Sequence, residues 1–307
     1  MNEYWNFKNG TITNYSNEEI LEIFKKSNSG SSIFLTVQQL KYLDNNLSIL
    51  NKEKLKHCII FLYMSSPTEL SYEEYKYFYN KYKLYHLFVN GFSKMHGTHD
   101  EEYKKTDDID PKIMLEYLKN LNDLIINLPS YSNINIEENV KTICILENRI
   151  VNKVCFDINT SYLKNTKKND HLFYVPNEII GLVDKKAVCR GYAGIFRDAC
   201  SMLGYEVICI NGFDKNKNGH EWNQIKIGDN WFNCDITCDI NNILSNMVPI
   251  FLLTDDKEFY ATYQTSTGEY ISHSDYLSDI DKKVSNTTIP RETINSYIFE
   301  ENKKKKR

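Results

Sequence analysis

The 307-residue sequence predicts an α+β protein, with a mostly helical region over residues 1–150, a helix set on an antiparallel sheet over 151–289, and a terminal helix with a basic tail over 290–307. Three observations predict this. Helix-start signals followed by apolar residues at helical spacing fill the first half. Past residue 150 the pattern changes to short Val- and Ile-rich runs broken by glycine-bounded loops. One segment, 220–237, reads as a tight hairpin. A content of 41% apolar and 25% charged residues, with 12 Gly and 6 Pro, excludes a disordered or collagen-like chain. No apolar run approaches the ~18 residues needed to span a bilayer.

In the first region Ser16 with Glu19, Thr36 with Gln39 and Ser71 with Glu74 each fit the capping box, in which a hydroxyl and an acidic or amide side chain satisfy the first unpaired amides of a helix. Asp110 before Pro111 is a fourth start signal. Behind it Ile113, Leu115, Leu118, Leu121, Leu124, Ile125 and Leu128 recur at helical spacing. Tyr72, Tyr75, Phe78, Tyr79, Tyr82 and Tyr85 form an aromatic stripe, read as a packing face rather than a ligand platform.

In the second region Cys189–Leu203 carries Ile195, Phe196, Ala199, Met202 and Leu203 on one helical face, with Gly204 at the position just past the helix end. A strand follows over Tyr205–Asn211, then a polar loop over Gly212–Gly219. In HEWNQIKIGDNWFNCDIT, residues 220–237, Gly228 and Asp229 suit a two-residue type II′ turn that pairs Ile227 with Asn230. Continued outward, that register pairs Trp222 with Asp235 and His220 with Thr237. His220 and Asp235 become diagonal neighbours on one face, roughly 7–8 Å apart by backbone.

A His held by an Asp is a general-base arrangement, because the carboxylate fixes the tautomer and stabilises the imidazolium. Cys189 supplies a nucleophile: it stands at a helix start, where unpaired amides and the positive end of the dipole favour a thiolate. Gly191 and Gly194 leave the first turns open to a substrate backbone. Each residue also has an ordinary reading: a core thiol, a satisfied polar His, a turn cap at Asp235. Their joint placement favours the chemistry. Neither a metal nor a cofactor is expected, since the sequence holds no C-x-x-C pair and Cys234 and Cys238 are spaced C-x-x-x-C.

AVCRGYAGIFRDACSMLGYEVICING followed by GHEWNQIKIGDNWFNCDIT resembles the transglutaminase-like core of the papain-like thiol enzymes. The resemblance implies Cys189 as nucleophile, His220 as base and Asp235 as orienting carboxylate. Trp222, on the His220 face in the hairpin register, is read as a pocket wall, and Gly191 and Tyr192 are expected at the substrate. Weaker likeness extends to FDINTSYL around Asp157 and to PIFLLTDDKEF from Pro249, while residues 1–150 carry none. The usual Asp-Pro-Thr is here Asp235-Ile236-Thr237, and no second oxyanion donor stands out beside the Cys189 amide. His171 is read as structural. The implied activity is acyl transfer on peptide or glutamine-type amides through a thioester, with an amine as possible co-substrate. The alternatives are a protease or deamidase using the same residues, or a binding module that retains the fold.

Five of the 37 basic residues sit in the tail 303–307, leaving 32 against 41 acidic groups, so no nucleic-acid partner is expected. The tail itself is read as solvated. Eight scattered Cys suit a reducing compartment, with Cys189 the reactive one. MNEYWNFKNG lacks a basic leader and an apolar stretch, so the expected location is cytoplasmic, unless a leader has been removed.

Overall fold

The computed structural model describes residues 15–26, 32–64, 66–88, 108–157, 177–213, 219–245, 247, 249–254, 262–264, 270–272 and 289–305. The chain divides into two compact units, Met1–Lys119 and Asn120–Arg307.

In the first unit α1 (Asn17–Lys26), β1 (Ser32–Thr36), α2 (Val37–Asn46), α3 (Ile49–Lys56), β2 (Ile59–Met64), α4 (Tyr72–Lys81), β3 (Lys83–Phe88) and β4 (Asp108–Ile109) precede α5 (Pro111–Ile125), whose last turns belong to the second unit. Each expected start signal is made. The Glu19 amide donates to Ser16 Oγ at 3.2 Å and the Lys112 amide to Asp110 Oδ1 at 2.9 Å, while Thr36/Gln39 and Ser71/Glu74 close full capping boxes. Helices make up most of the regular structure, as expected.

The unit also contains a sheet ordered β1-β2-β3-β4, with β1, β2 and β3 parallel and β4 antiparallel, which the sequence reading did not anticipate. β2 is a short unbroken apolar run, and β1 is apolar between Ser32 and Thr36. Ile33, Leu35, Ile60 and Leu62 are fully buried on one face, while Phe34 and Phe61 stack at 4.8 Å on the other. A strand covered on both sides loses the polar alternation that would mark it. The aromatic stripe is a packing face: Tyr75, Phe78 and Tyr82 are buried. Asp44 accepts from Tyr77 Oη at 2.9 Å, Lys81 Nζ at 2.5 Å and the Tyr82 hydroxyl.

The second unit continues through α6 (Ile136–Lys153), β5 (Cys155–Phe156), α7 (Asn177–Val183), β6 (Lys186–Ala187), α8 (Cys189–Met202), β7 (Val207–Phe213), β8 (Gly219–Ile227), β9 (Asn230–Cys234), α9 (Ile236–Leu244), β10 (Thr262–Gln264), β11 (Tyr270–Ser272) and α10 (Arg291–Lys305). The sequence pattern changes near 150, yet α6 lies with this unit because it packs on α8, α9 and α10. The sheet runs β11-β10-β7-β8-β9, antiparallel throughout, and α8 packs on β7 and β8. Gly204, at φ +88°, ends α8 in a Schellman turn, with the Tyr205 amide donating to the Cys200 carbonyl at 3.0 Å.

The β8–β9 hairpin has the expected register, from Ile227 opposite Asn230 to Asn223 opposite Cys234, around Gly228 at φ +60°. Pairing then stops. The expected Trp222–Asp235 and His220–Thr237 pairs do not form, because Asp235 caps α9 and gives its own amide to the Phe251 carbonyl at 2.9 Å. None of the eight Cys forms a disulfide. Among the described residues no helix is long and apolar enough to cross a membrane. His171, the loop residues 214–218, the parts 158–163 and 255–259 of the weaker likeness, and the end of the basic tail lie outside the described residues.

Candidate active site

A two-residue parallel ladder, Cys155–Lys186 and Phe156–Ala187, delivers the chain to the start of α8. Val188 caps that helix with no side-chain hydrogen bond, so the first-turn amides beside Cys189 are left to water or to a ligand. Cys189 itself is half-buried. Asn223 Nδ2 on β8 donates to the Ala193 carbonyl at 3.0 Å, tying the first turns of α8 to the strand that carries His220.

His220 Nε2 meets Asp235 Oδ2 at 2.6 Å, and the thiols of Cys189 and Cys238 are both hydrogen-bonded to the imidazole. Burial alone would lower the imidazole's proton affinity. The imidazolium's hydrogen bonds to Asp235, Cys189 and Cys238, with the Asp235 charge, outweigh it and push His220 up to about 12. With Nε2 committed to Asp235, Nδ1 is the ring nitrogen that remains for proton exchange with the Cys189 thiol.

Asp235 reaches His220 from a place the hairpin register did not give it. At 1% exposure it is the N-cap of α9, with Oδ1 accepting the Cys238 amide at 3.2 Å and Oδ2 turned to the imidazole. One oxygen thus caps the helix while the other meets the imidazole. Behind it Asp239 accepts the Ile250 amide at 2.6 Å and the Phe251 amide at 2.9 Å, fixing the segment whose carbonyl holds the Asp235 amide. Burial raises Asp239 to about 7. Fully buried Glu147, on α6, is pushed well up by burial and by the nearby Asp239 and Asp235 charges, and neither of its oxygens has a hydrogen-bond partner.

Three residues expected near the substrate are interior supports. Trp222 is 1% exposed, stacks 6.0 Å from the His220 ring, and donates its indole N–H to Asn233 Oδ1 at 3.3 Å. It backs the imidazole. Tyr192 is fully buried, with its hydroxyl donating to the Val154 carbonyl at 2.5 Å, and Gly191 is buried beside it. The openness expected at Gly194 is filled by α7, since an added Cβ would sit 2.7 Å from Glu178 Cβ.

Sequence reasoning missed Cys238, whose position three residues past an Asp N-cap was a usable signal once a helix was read there. It also missed Arg190 and Phe156. Phe156 is 42% exposed, stacks on Tyr192 at 6.5 Å and lies opposite Ala187. One donor atom from each of His220, Asp235 and Cys238 lies within 4.8 Å of the others, a spacing a metal ion could use. A cation there would have to replace the Asp235–His220 hydrogen bond.

Residues 137–236 match the core model of the transglutaminase-like superfamily. This stretch is similar to a transglutaminase-like core. It contains Cys189, His220 and Asp235 and ends at the first residue of α9. A transglutaminase crystal structure is similar at 15% identity over 50% of this chain and 50% of that one, with a TM-score of 0.28. A candidate cysteine protease from Cytophaga hutchinsonii is similar at 16% identity over 42% and 43%, with a TM-score of 0.24. The chain thus spans half or less of the solved chains it matches. No curated protein matches the sequence.

Proposed function

We propose that the transglutaminase-like core is a thiol acyl-transfer site acting on peptide or glutamine-type amides. The observation that carries this is the continuous chain from the Cys189 thiol through His220 to buried Asp235, set at a helix start with no side-chain cap. With its proton already held by His220, Cys189 Sγ attacks the amide carbonyl carbon. The resulting oxyanion meets first-turn amides of α8. As the C–N bond breaks, the imidazolium hands its proton to the leaving nitrogen, giving a thioester and a free amine or ammonia. An amine or a water, deprotonated by His220, then attacks the thioester and restores the thiol. Asp235 keeps Nε2 protonated throughout and steadies the imidazolium.

The test incubates the protein with a glutamine-bearing protein and a labelled amine. Incorporated label that disappears in Cys189→Ala supports transamidation. Ammonia or new termini, lost in the same variant, place the chemistry with water as acceptor. Turnover that survives Cys189→Ala overturns the proposal.

A further inference from the structure

We infer that Arg190 anchors a carboxylate on the substrate next to the amide that Cys189 attacks, so that the site selects acidic peptides. The inference rests on the thiol-enzyme reading and deepens it.

Two consecutive pairs join α8 to β8. Cys189 meets His220, and the next residue on each element forms the second pair, Arg190 with Glu221. The guanidinium therefore stands one residue from the reacting sulfur. It is poorly used by the protein: Arg190 Nε is 3.8 Å from Glu221 Oε2, an ion pair without a hydrogen bond, and 49% of the Arg190 side chain is exposed. Glu221 is 7% exposed by side chain, and burial raises it to about 7 against the opposing pull of Arg190. Near neutral pH that carboxyl is ionised only part of the time, so it neutralises the cation incompletely. Lys185 and Lys186, both exposed, precede Cys189 by four and three residues and add positive charge to an otherwise acidic chain. A guanidinium offers five donors in a flat fork matched to a carboxylate. With one carboxyl at 3.8 Å and half of the side chain exposed, that fork retains donors for a ligand.

The test needs no natural substrate. Cys189 is alkylated with iodoacetate, which carries a carboxylate, and with neutral iodoacetamide, and the rate ratio is taken so that any general change in thiol reactivity cancels. The expected ratio in the unaltered protein exceeds that in Arg190→Ala by about tenfold, the scale of one charge-assisted hydrogen-bonded contact. Arg190→Lys, which keeps the charge and loses the fork, should recover only part of the difference. A ratio unchanged in Arg190→Ala overturns the inference. So does full retention in Arg190→Lys, or an equal loss in Lys186→Ala, since either would show a general field rather than an anchor. If Cys189 reacts with neither reagent faster than an unperturbed thiol, the thiol-enzyme reading falls, and the anchor with it.

Discussion

Asp235 carries two functions through two oxygens, and substitutions can separate them. Asn also caps helices well, so Asp235→Asn should keep α9, but it leaves the buried imidazolium without its carboxylate and should cost about 2–5 kcal/mol of stability. Turnover should fall on the order of 10²–10⁴-fold, because a neutral amide no longer stabilises the imidazolium. Steady-state rates beside urea midpoints check both halves, and full activity would mean that another group orients His220. Cys238 is the less obvious neighbour. Its hydrogen bond helps hold His220 up, so Cys238→Ala should move the alkaline limb of the pH–rate profile to lower pH, while Cys238→Ser restores it.

At the scale of elements, the nucleophile helix and the hairpin were legible in the sequence. Gly228 dictated the turn and thereby the register, and Gly204 marked the end of α8. The register misplaced Asp235 because ladder arithmetic assumes that strands continue, and a capping Asp at the end of β9 gave the chain a helix instead. Cys189 was singled out as the proposed nucleophile by its helix start and by the resemblance of the surrounding segment. The burial of Trp222 and Tyr192 was not legible, since an aromatic side chain reads alike as a pocket wall or as core. β1 and β2 of the first unit escaped because an apolar run as short as residues 33–35 or Ile59–Met64 has no period of its own. Two glycines test the element packing. Gly194→Ala drives a methyl group into Glu178 and should cost about 1–3 kcal/mol by parting α8 from α7. Gly228→Ala combines a left-handed φ with Ile136 Cδ1 at 2.9 Å, and its urea midpoint should drop by a comparable amount.

Among the described residues of the second unit, the largely buried groups His220, Glu221, Asp239 and Glu147 shift in one direction. His220 lies at about 12 against an ordinary 6.5, so its contribution to stability is complete below about pH 6.5 and drains away as the pH climbs toward 12. Glu221 and Asp239, raised to about 7 from 4.5 and 3.8, are held protonated by the fold, and their contribution is lost between those ordinary values and 7. Glu147 acts in the same direction. Asp44 and Glu74 are lowered and act oppositely, but only in the acid range near and below their ordinary values of 3.8 and 4.5. The melting temperature should therefore fall between pH 5 and pH 9. Glu147→Gln, which cannot ionise, should make that fall shallower, and a calorimetric pH series in both proteins checks it.

The cap on α9 ties catalysis to the weakest part of a helix. First turns open before whole domains do, and each opening of the residues after Asp235 would let its carboxylate turn from the imidazole to water. Activity should thus be lost on warming before the protein melts, and should return on cooling as long as the core has stayed closed.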